Sequence, residues 1–235
     1  MTRIAKTPLP RTASEPPAPA IADFGNQRMV LRGVAKHVYA VLDEAIGPEQ
    51  HIRLAYDGED LELMTTSDLH ECFKVLLGRF VDILSFEFEV DQFAVGEKTW
   101  KTRKTDRGLQ ADLSYYFEPA EIAMARKGFR LKSMDSADYP SAPDLAIEID
   151  SSRPRVDRPS IYAALKAFEI WRFDGVAVRI EQFQPDGTYL AVKRSRFLPV
   201  TAEQIRRWIL DDEAADGHAW ERRLRQWARR LRRRK

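Results

Sequence analysis

Apolar residues recur along this chain with two different periods, and the switches between them mark out its elements. From residue 69 to 84 the positions Leu69, Phe73, Leu76, Leu77, Phe80 and Leu84 keep helical spacing for about five turns. Thr66 or Ser67 can cap that helix, and Asp68 places a carboxylate at its positive end. Residues 144 to 150 alternate instead. Leu145, Ile147 and Ile149 point one way, and Asp144, Ala146, Glu148 and Asp150 the other, as side chains do along a strand. The same alternation runs from Ala111 to Phe117 and sets Asp112, Ser114 and Tyr116 opposite Leu113, Tyr115 and Phe117.

Shorter signals fill in the order. Residues 28 to 46 read as a strand running into a helix, and RLAYDGEDLELM (53–64) as two strands around the turn Asp57-Gly58. Brief strands are expected at 92–95 and 99–102, and a helix or irregular excursion over 121–138. A helix near 160–167, strands at 169–173, 176–183 and 189–193, a helix capped by Thr201, and a final helix complete the chain. This is an α/β (α+β) pattern: a central mixed β-sheet flanked by helices, with a helix between two strands that it can connect in parallel. Residues 1–24 hold five of the 13 prolines with Ala, Ser and Thr and read as a disordered leader. The organisation expected is therefore a leader (1–24), a core domain (25–200) and a helical basic extension (201–235).

Composition narrows the class. No apolar run approaches the roughly 18 to 20 residues of a membrane span, so no membrane partner is expected. The single cysteine, Cys72, excludes an internal disulfide framework and a cysteine-based zinc site, which suits a reducing cytoplasm. Cys72 sits at the edge of an apolar helix face and reads as packing. Charge is polarised. Between Glu221 and Lys235 lie eight Arg, one Lys and one Glu, a local +8 against a chain total of +2, which leaves −6 for the rest. Arg222, Arg223, Arg225, Arg229, Arg230, Arg232, Arg233, Arg234 and Lys235 thus form a handle for nucleic acid or another polyanion, or else a solubilising end helix. Trp220, Leu224, Trp227 and Leu231 make an apolar seam between the arginines that could dock on a partner or a second copy.

Two strand carboxylates stand out. Metal-dependent phosphodiester cleavage needs hard oxygen ligands converging on magnesium, which activates water and neutralises phosphate charge. Asp112 and Glu148 each face away from the large apolar residues of their strands, and on neighbouring strands about 5 Å apart they could share one ion. Solvent-facing carboxylates on half-exposed strands are the alternative. Asp144, four residues from Glu148 and about 13 Å away at strand rise, cannot join it and is assigned to strand initiation or loop hydrogen bonding. Asp150 can line the site without being a ligand.

The pieces LRGV, RLAYDGEDLELM with His70-Glu71, DRGLQADLSYY, PDLAIEIDSS and VDRPSIYAALKAFEIWRFDG, in that order over roughly 28–200, resemble the Uma-two family of bacterial endonucleases. That family belongs to the restriction-endonuclease-like, PD-(D/E)xK, superfamily. The resemblance implies an endonuclease using Mg²⁺ or Mn²⁺ on nucleic acid, with DNA the first expectation. It implies Asp112 as the carboxylate of the Pro-Asp motif, Glu148 as the acid of the (D/E)xK motif, and Glu71 as an accessory metal ligand. The family lysine, displaced onto the following helix four residues before Tyr162, corresponds to Arg158. Ala111 stands before Asp112 in place of proline, and Asp150 stands where the superfamily usually has its lysine. Arg158 can stabilise charge on a phosphate but is a poor proton acceptor. A catalytically silent nucleic-acid-binding module and a protein-interaction module of the same fold are the alternatives. Tyr162, Trp171 and Phe173 read as core, and His70 as structural or a hydrogen-bonding neighbour.

Overall fold

The protein is described by a computed structural model over residues 27–46, 52–101, 107–132, 142–150 and 156–233. The proline-rich leader lies outside these residues. The described chain runs β1 (Arg28–Leu31), α1 (Lys36–Ile46), β2 (Ile52–Tyr56), β3 (Leu61–Thr65), α2 (Asp68–Phe88), β4 (Phe93–Ala94), β5 (Lys98–Lys101), β6 (Gly108–Ala111) and β7 (Leu113–Tyr116). It continues through α3 (Pro119–Arg130), β8 (Leu145–Ile149), α4 (Arg158–Leu165), β9 (Glu169–Phe173), β10 (Val178–Phe183), β11 (Tyr189–Val192), α5 (Ala202–Ile209) and α6 (Gly217–Arg232).

The mixed sheet is six-stranded, in the order β11-β10-β9-β8-β7-β4, with the α4 crossover joining β8 to β9 in parallel. Five further strands form a second, antiparallel sheet, β1-β3-β2-β6-β5. Alternation predicts one continuous strand from Ala111 to Phe117. The chain instead leaves the second sheet at Ala111, bends at Asp112 and enters the mixed sheet at Leu113. Alternation survives the bend, so periodicity alone does not reveal it.

Helix α2 forms where the 3.6-residue spacing places it. The Ser67 hydroxyl accepts from the His70 amide at 3.3 Å, and Asp68 and Glu71 occupy the first turn. Leu77, Phe80, Val81 and Leu84 are buried against Leu145, Ile147 and Ile149, whereas Leu69 at the helix start is exposed. The other face of β8 is covered as well, by Ile161, Tyr162 and Leu165 of α4 and by Leu109 and Ala111 of β6. Strand β8 is therefore buried throughout rather than half-exposed, and carboxylates on it must find partners inside the protein.

The C-terminal helices complete this core. Thr201 caps α5 in a reciprocal capping box with Gln204, and Ile205 and Ile209 of α5 join Trp220, Leu224 and Ala228 of α6 against α2. Of the seam expected to meet a partner or a second copy, Trp220 and Leu224 are buried in the protein's own body, Trp227 packs partly against it and Leu231 stays half-buried outside that cluster. Burying a tryptophan and a leucine this way contributes several kcal/mol, by roughly 25 cal/mol per Å² of apolar surface. Among the described residues no helix is long and apolar enough to cross a membrane.

Candidate active site

The bend between the sheets determines what Asp112 meets. Asp112 lies at the bend one residue before the Leu113–Ile147 pair, while Glu148, one residue beyond that pair on β8, is paired with Arg172 on β9. Asp112 is fully buried, its Oδ2 accepting from the Ile149 amide at 2.6 Å. Its Oδ1 faces the Arg53 guanidinium and lies 3.2 Å from His70 Nε2.

Glu148 is equally buried and held from the other side. Arg158, in the first turn of α4, donates from Nη1 to Glu148 Oε2 at 2.7 Å, and the Tyr162 hydroxyl donates to Oε1. Arg158 and Tyr162 stand four residues apart and so share a helix face. The second Arg158 nitrogen reaches Glu62 Oε1 at 3.2 Å, and the same oxygen accepts from Arg28 at 2.6 Å. Asp150 receives Arg28 at 3.2 Å and lies within 3.8 Å of Arg158 and 3.5 Å of Arg172. Burial alone would raise the Asp150 carboxyl, but the charges of Arg158, Arg172 and Arg28 hold it below the usual range. Burial would also favour loss of the Arg158 proton, yet Glu148, Asp150 and Glu62 keep that guanidinium firmly charged. Tyr162 is pushed well above its ordinary value, first by burial and then by the Glu148 charge, so it stays a donor.

On the Asp112 side the central group is Arg53 of β2. Its Nη2 lies 3.4 Å from Glu97 and 3.6 Å from Glu71, while Nη1 turns inward to Asp112. Lys74 pairs with both Glu71 and Glu97. Two cations thus face three carboxylates, an excess of one negative charge. Burial draws the Arg53 pKa down, and Glu97, Glu148 and Glu71 counter it in part. Burial, followed by the Arg53 charge, brings His70 down to about 4, so it is neutral at pH 7. A neutral imidazole has one N–H. His70 lies 3.3 Å from Glu71 through Nδ1 and 3.2 Å from Asp112 through Nε2, and it can donate to only one of them.

The structure thus ties Asp112 to the Ile149 amide beside Glu148 and sets Arg158 directly on Glu148. Glu71 is half-buried and joins through Arg53 and Lys74. Burial would raise its carboxyl, but the Lys74 hydrogen bond and charge and the Arg53 charge carry it below its usual value. Among the described residues no three acidic, His or Cys side chains close around one point to cage an ion by themselves. A magnesium site needs less, since one or two carboxylates with water and substrate phosphate suffice. One observation marks where such an ion fits. Asp112 Oδ1, buried between the Arg53 guanidinium it pairs with and His70 Nε2 at 3.2 Å, is a carboxylate oxygen that already holds a cation. The Asp112 oxygen, with the Glu71 and Glu97 carboxylates on the far side of Arg53, is the kind of hard donor a magnesium ion takes.

The remaining expectations divide. Asp144 accepts from the amides of Phe117 and Glu118 at 2.7 and 2.8 Å, fixing the entry to α3. Cys72 is exposed, not packed, and lies with Leu69, Leu76 and Leu210 along an open groove of about 680 Å³ beside Glu71. Of the tail arginines, Arg225 and Arg229 pair with Glu87, Arg232 with Glu89 and the Glu87 carbonyl, and Arg223 with Asp211 and Glu213. Arg222, Arg230 and Arg233 are exposed, and Arg234 and Lys235 lie outside the described residues.

Arg53, Glu62, Glu97, Arg28, Arg172 and the Tyr162 hydroxyl join the site without having been expected there. A signal existed for two of them. In the hairpin of β2 and β3, Arg53 and Glu62 fall at the positions alternating with Leu54, Tyr56, Leu61 and Leu63, so the polar face could be read without knowing what it meets.

Comparison with known proteins bears on the family and the fold. A family model, Uma2, described as "Putative restriction endonuclease", matches residues 39–207. A solved structure from Anabaena variabilis, titled as a putative nuclease belonging to DUF820, superposes with a TM-score of 0.51 at 14% identity. The match covers 75% of this chain and 99% of that chain, and at such identity the likeness is one of fold. No curated protein matches the chain.

Proposed function

Because the chain belongs to the Uma2 family, with its restriction-endonuclease-like fold, we propose that it is a metal-dependent nuclease hydrolysing phosphodiester bonds of nucleic acid, DNA first. The observation that carries this reading is the pair of buried carboxylates Asp112 and Glu148, the first at the bend before β7 and tied to the Ile149 amide, the second beside that amide on β8. Mg²⁺ or Mn²⁺ bound between them would lower the pKa of a water molecule and neutralise charge on the phosphate.

The chain's own residues supply the rest. Asp112 offers Oδ1 while the Ile149 amide holds Oδ2. Glu71 is the accessory acid, at the half-buried rim beside the groove. Arg158 stays protonated and so cannot accept a proton. Its part is to orient Glu148 and add positive charge where a phosphate's charge develops. Tyr162 positions the other Glu148 oxygen. Among the described residues, Arg222, Arg230 and Arg233 are exposed tail groups that can meet a nucleic-acid backbone.

One observation favours a second reading. Both Glu148 oxygens are engaged by protein groups, which suits a silent nucleic-acid-binding module of the same fold. Incubation of plasmid DNA, single-stranded DNA and RNA with Mg²⁺ or Mn²⁺ separates the two. Nicking that is lost in Asp112→Asn and Glu148→Gln supports the nuclease. Salt-sensitive binding with no metal-dependent cleavage of any substrate decides for the silent module.

A further inference from the structure

The Arg53 guanidinium spans two environments. Its inner nitrogen faces Asp112 beneath the sheet bend, and its outer one faces Glu71 and Glu97, which are half-buried and exposed. The inner end has a single carboxylate, that of Asp112, in a buried ion pair. The outer end has two carboxylates within 3.6 Å, and neighbouring Lys74 is partly exposed. A modest rotation of the side chain toward the rim would keep those two attractions and give up only the inner one. It would also leave Asp112 as a buried, unpaired carboxylate, a state costly enough to demand another cation.

We propose that Arg53 is the resident cation of the Asp112 pocket, and that a divalent metal ion enters by displacing it toward Glu71 and Glu97. This rests on the metal-dependent reading above, but it assigns a separate property: apparent metal affinity is set by competition with a protein side chain. A site whose competent form is a fraction of the population binds more weakly by that fraction.

Calorimetric titration with Mn²⁺ alone, beside thermal melting with and without Mn²⁺, tests the idea on wild type, Arg53→Met and Arg53→Gln. With the competitor removed, Arg53→Met is expected to bind Mn²⁺ about tenfold or more tightly than wild type, if the open form is about a tenth of the population. It should also show the larger metal-induced rise in melting temperature. Arg53→Gln also removes the competing charge while keeping a polar side chain, and it should bind more tightly than wild type as well. It stands in for the methionine variant should that one fail to fold. Wild type that binds Mn²⁺ with variants equal or weaker overturns displacement and leaves the metal-dependent reading standing. No Mn²⁺ binding by any of the three overturns both.

Discussion

Asp112, at the bend between the sheets, accepts from the amide of Ile149, the residue after Glu148, yet the two carboxylates answer to different arginines: Arg53 from the second sheet and Arg158 from the crossover helix. Each is buried with a cation in place, so neither is a free ligand waiting in a cleft. Removing one member of such an arrangement exposes its partner's desolvation cost as well as the missing attraction.

Tyr162→Phe isolates one hydrogen bond to Glu148. The substitution keeps the ring and deletes the donor, leaving a buried carboxylate oxygen short of a hydrogen bond. A loss of about 1–3 kcal/mol in chemical denaturation is expected, more than an exposed tyrosine would give. Cleavage should fall with it, because Glu148 is then held only by Arg158.

Arg158 is the stricter case. Arg158→Met leaves Glu148 and Glu62 without that cation and should cost about 3–5 kcal/mol. Arg158→Lys can keep the charge but cannot place two nitrogens on two carboxylates, so an intermediate loss is expected. If Arg158 serves the reaction only as charge, the lysine variant cleaves at least as fast as wild type. If the lysine variant cleaves where wild type does not, Arg158 is the reason for silence.

His70 gives a pH signature. Its pKa of about 4 in the folded protein is below that of an unfolded chain near 6.5, so the unfolded state takes up a proton first as pH falls. Its contribution is therefore full above about pH 6.5 and declines toward pH 4 by about 3 kcal/mol. Glu71, lowered in the folded state, adds a loss in the same direction as pH falls through the carboxylate range. Urea melts of wild type and His70→Gln across pH 4 to 7 should converge at the acid end; parallel curves would remove His70 as the cause.

The tail separates into two kinds of arginine. Arg225 and Arg229 tie α6 to Glu87, and their alanine variants should lower the melting temperature. Arg222→Ala, Arg230→Ala and Arg233→Ala should leave it unchanged. Each should reduce the salt dependence of DNA binding by up to about 0.9 in log–log slope for every phosphate it no longer neutralises. Glu87 is sixteen residues along α2 from Glu71, about 24 Å at helical rise, so arginines at that end reach backbone well away from the carboxylates.

Periodicity made the elements legible because α2, β8 and the α4 crossover each bury one recognisable apolar face. Glu148 and Asp112 were legible for the same reason, as the polar half of an alternating pattern. Their partners were less so. Arg53 and Glu62 come from a hairpin whose position over the mixed sheet depends on tertiary packing, and no local spacing encodes it. The arginine tail misled in part because charge in a sequence says nothing of what it faces: Glu87, buried near the end of α2, claims two of those side chains.

The bend at Asp112 gives this chain an unusual vulnerability to insertion and deletion. A turn between two sheets would ordinarily absorb a residue more or less, as surface connections do. Here the only deletion possible between Ala111 and Leu113 removes Asp112 itself, and a single added residue would reverse the faces of β7. Ser114 and Tyr116 would turn toward the α2 side, and Tyr115 toward α4. The acid would then face apolar packing instead of Arg53. Spacing at this corner, as much as the identity of the acid, is what the site requires, and length variation among its relatives should fall elsewhere.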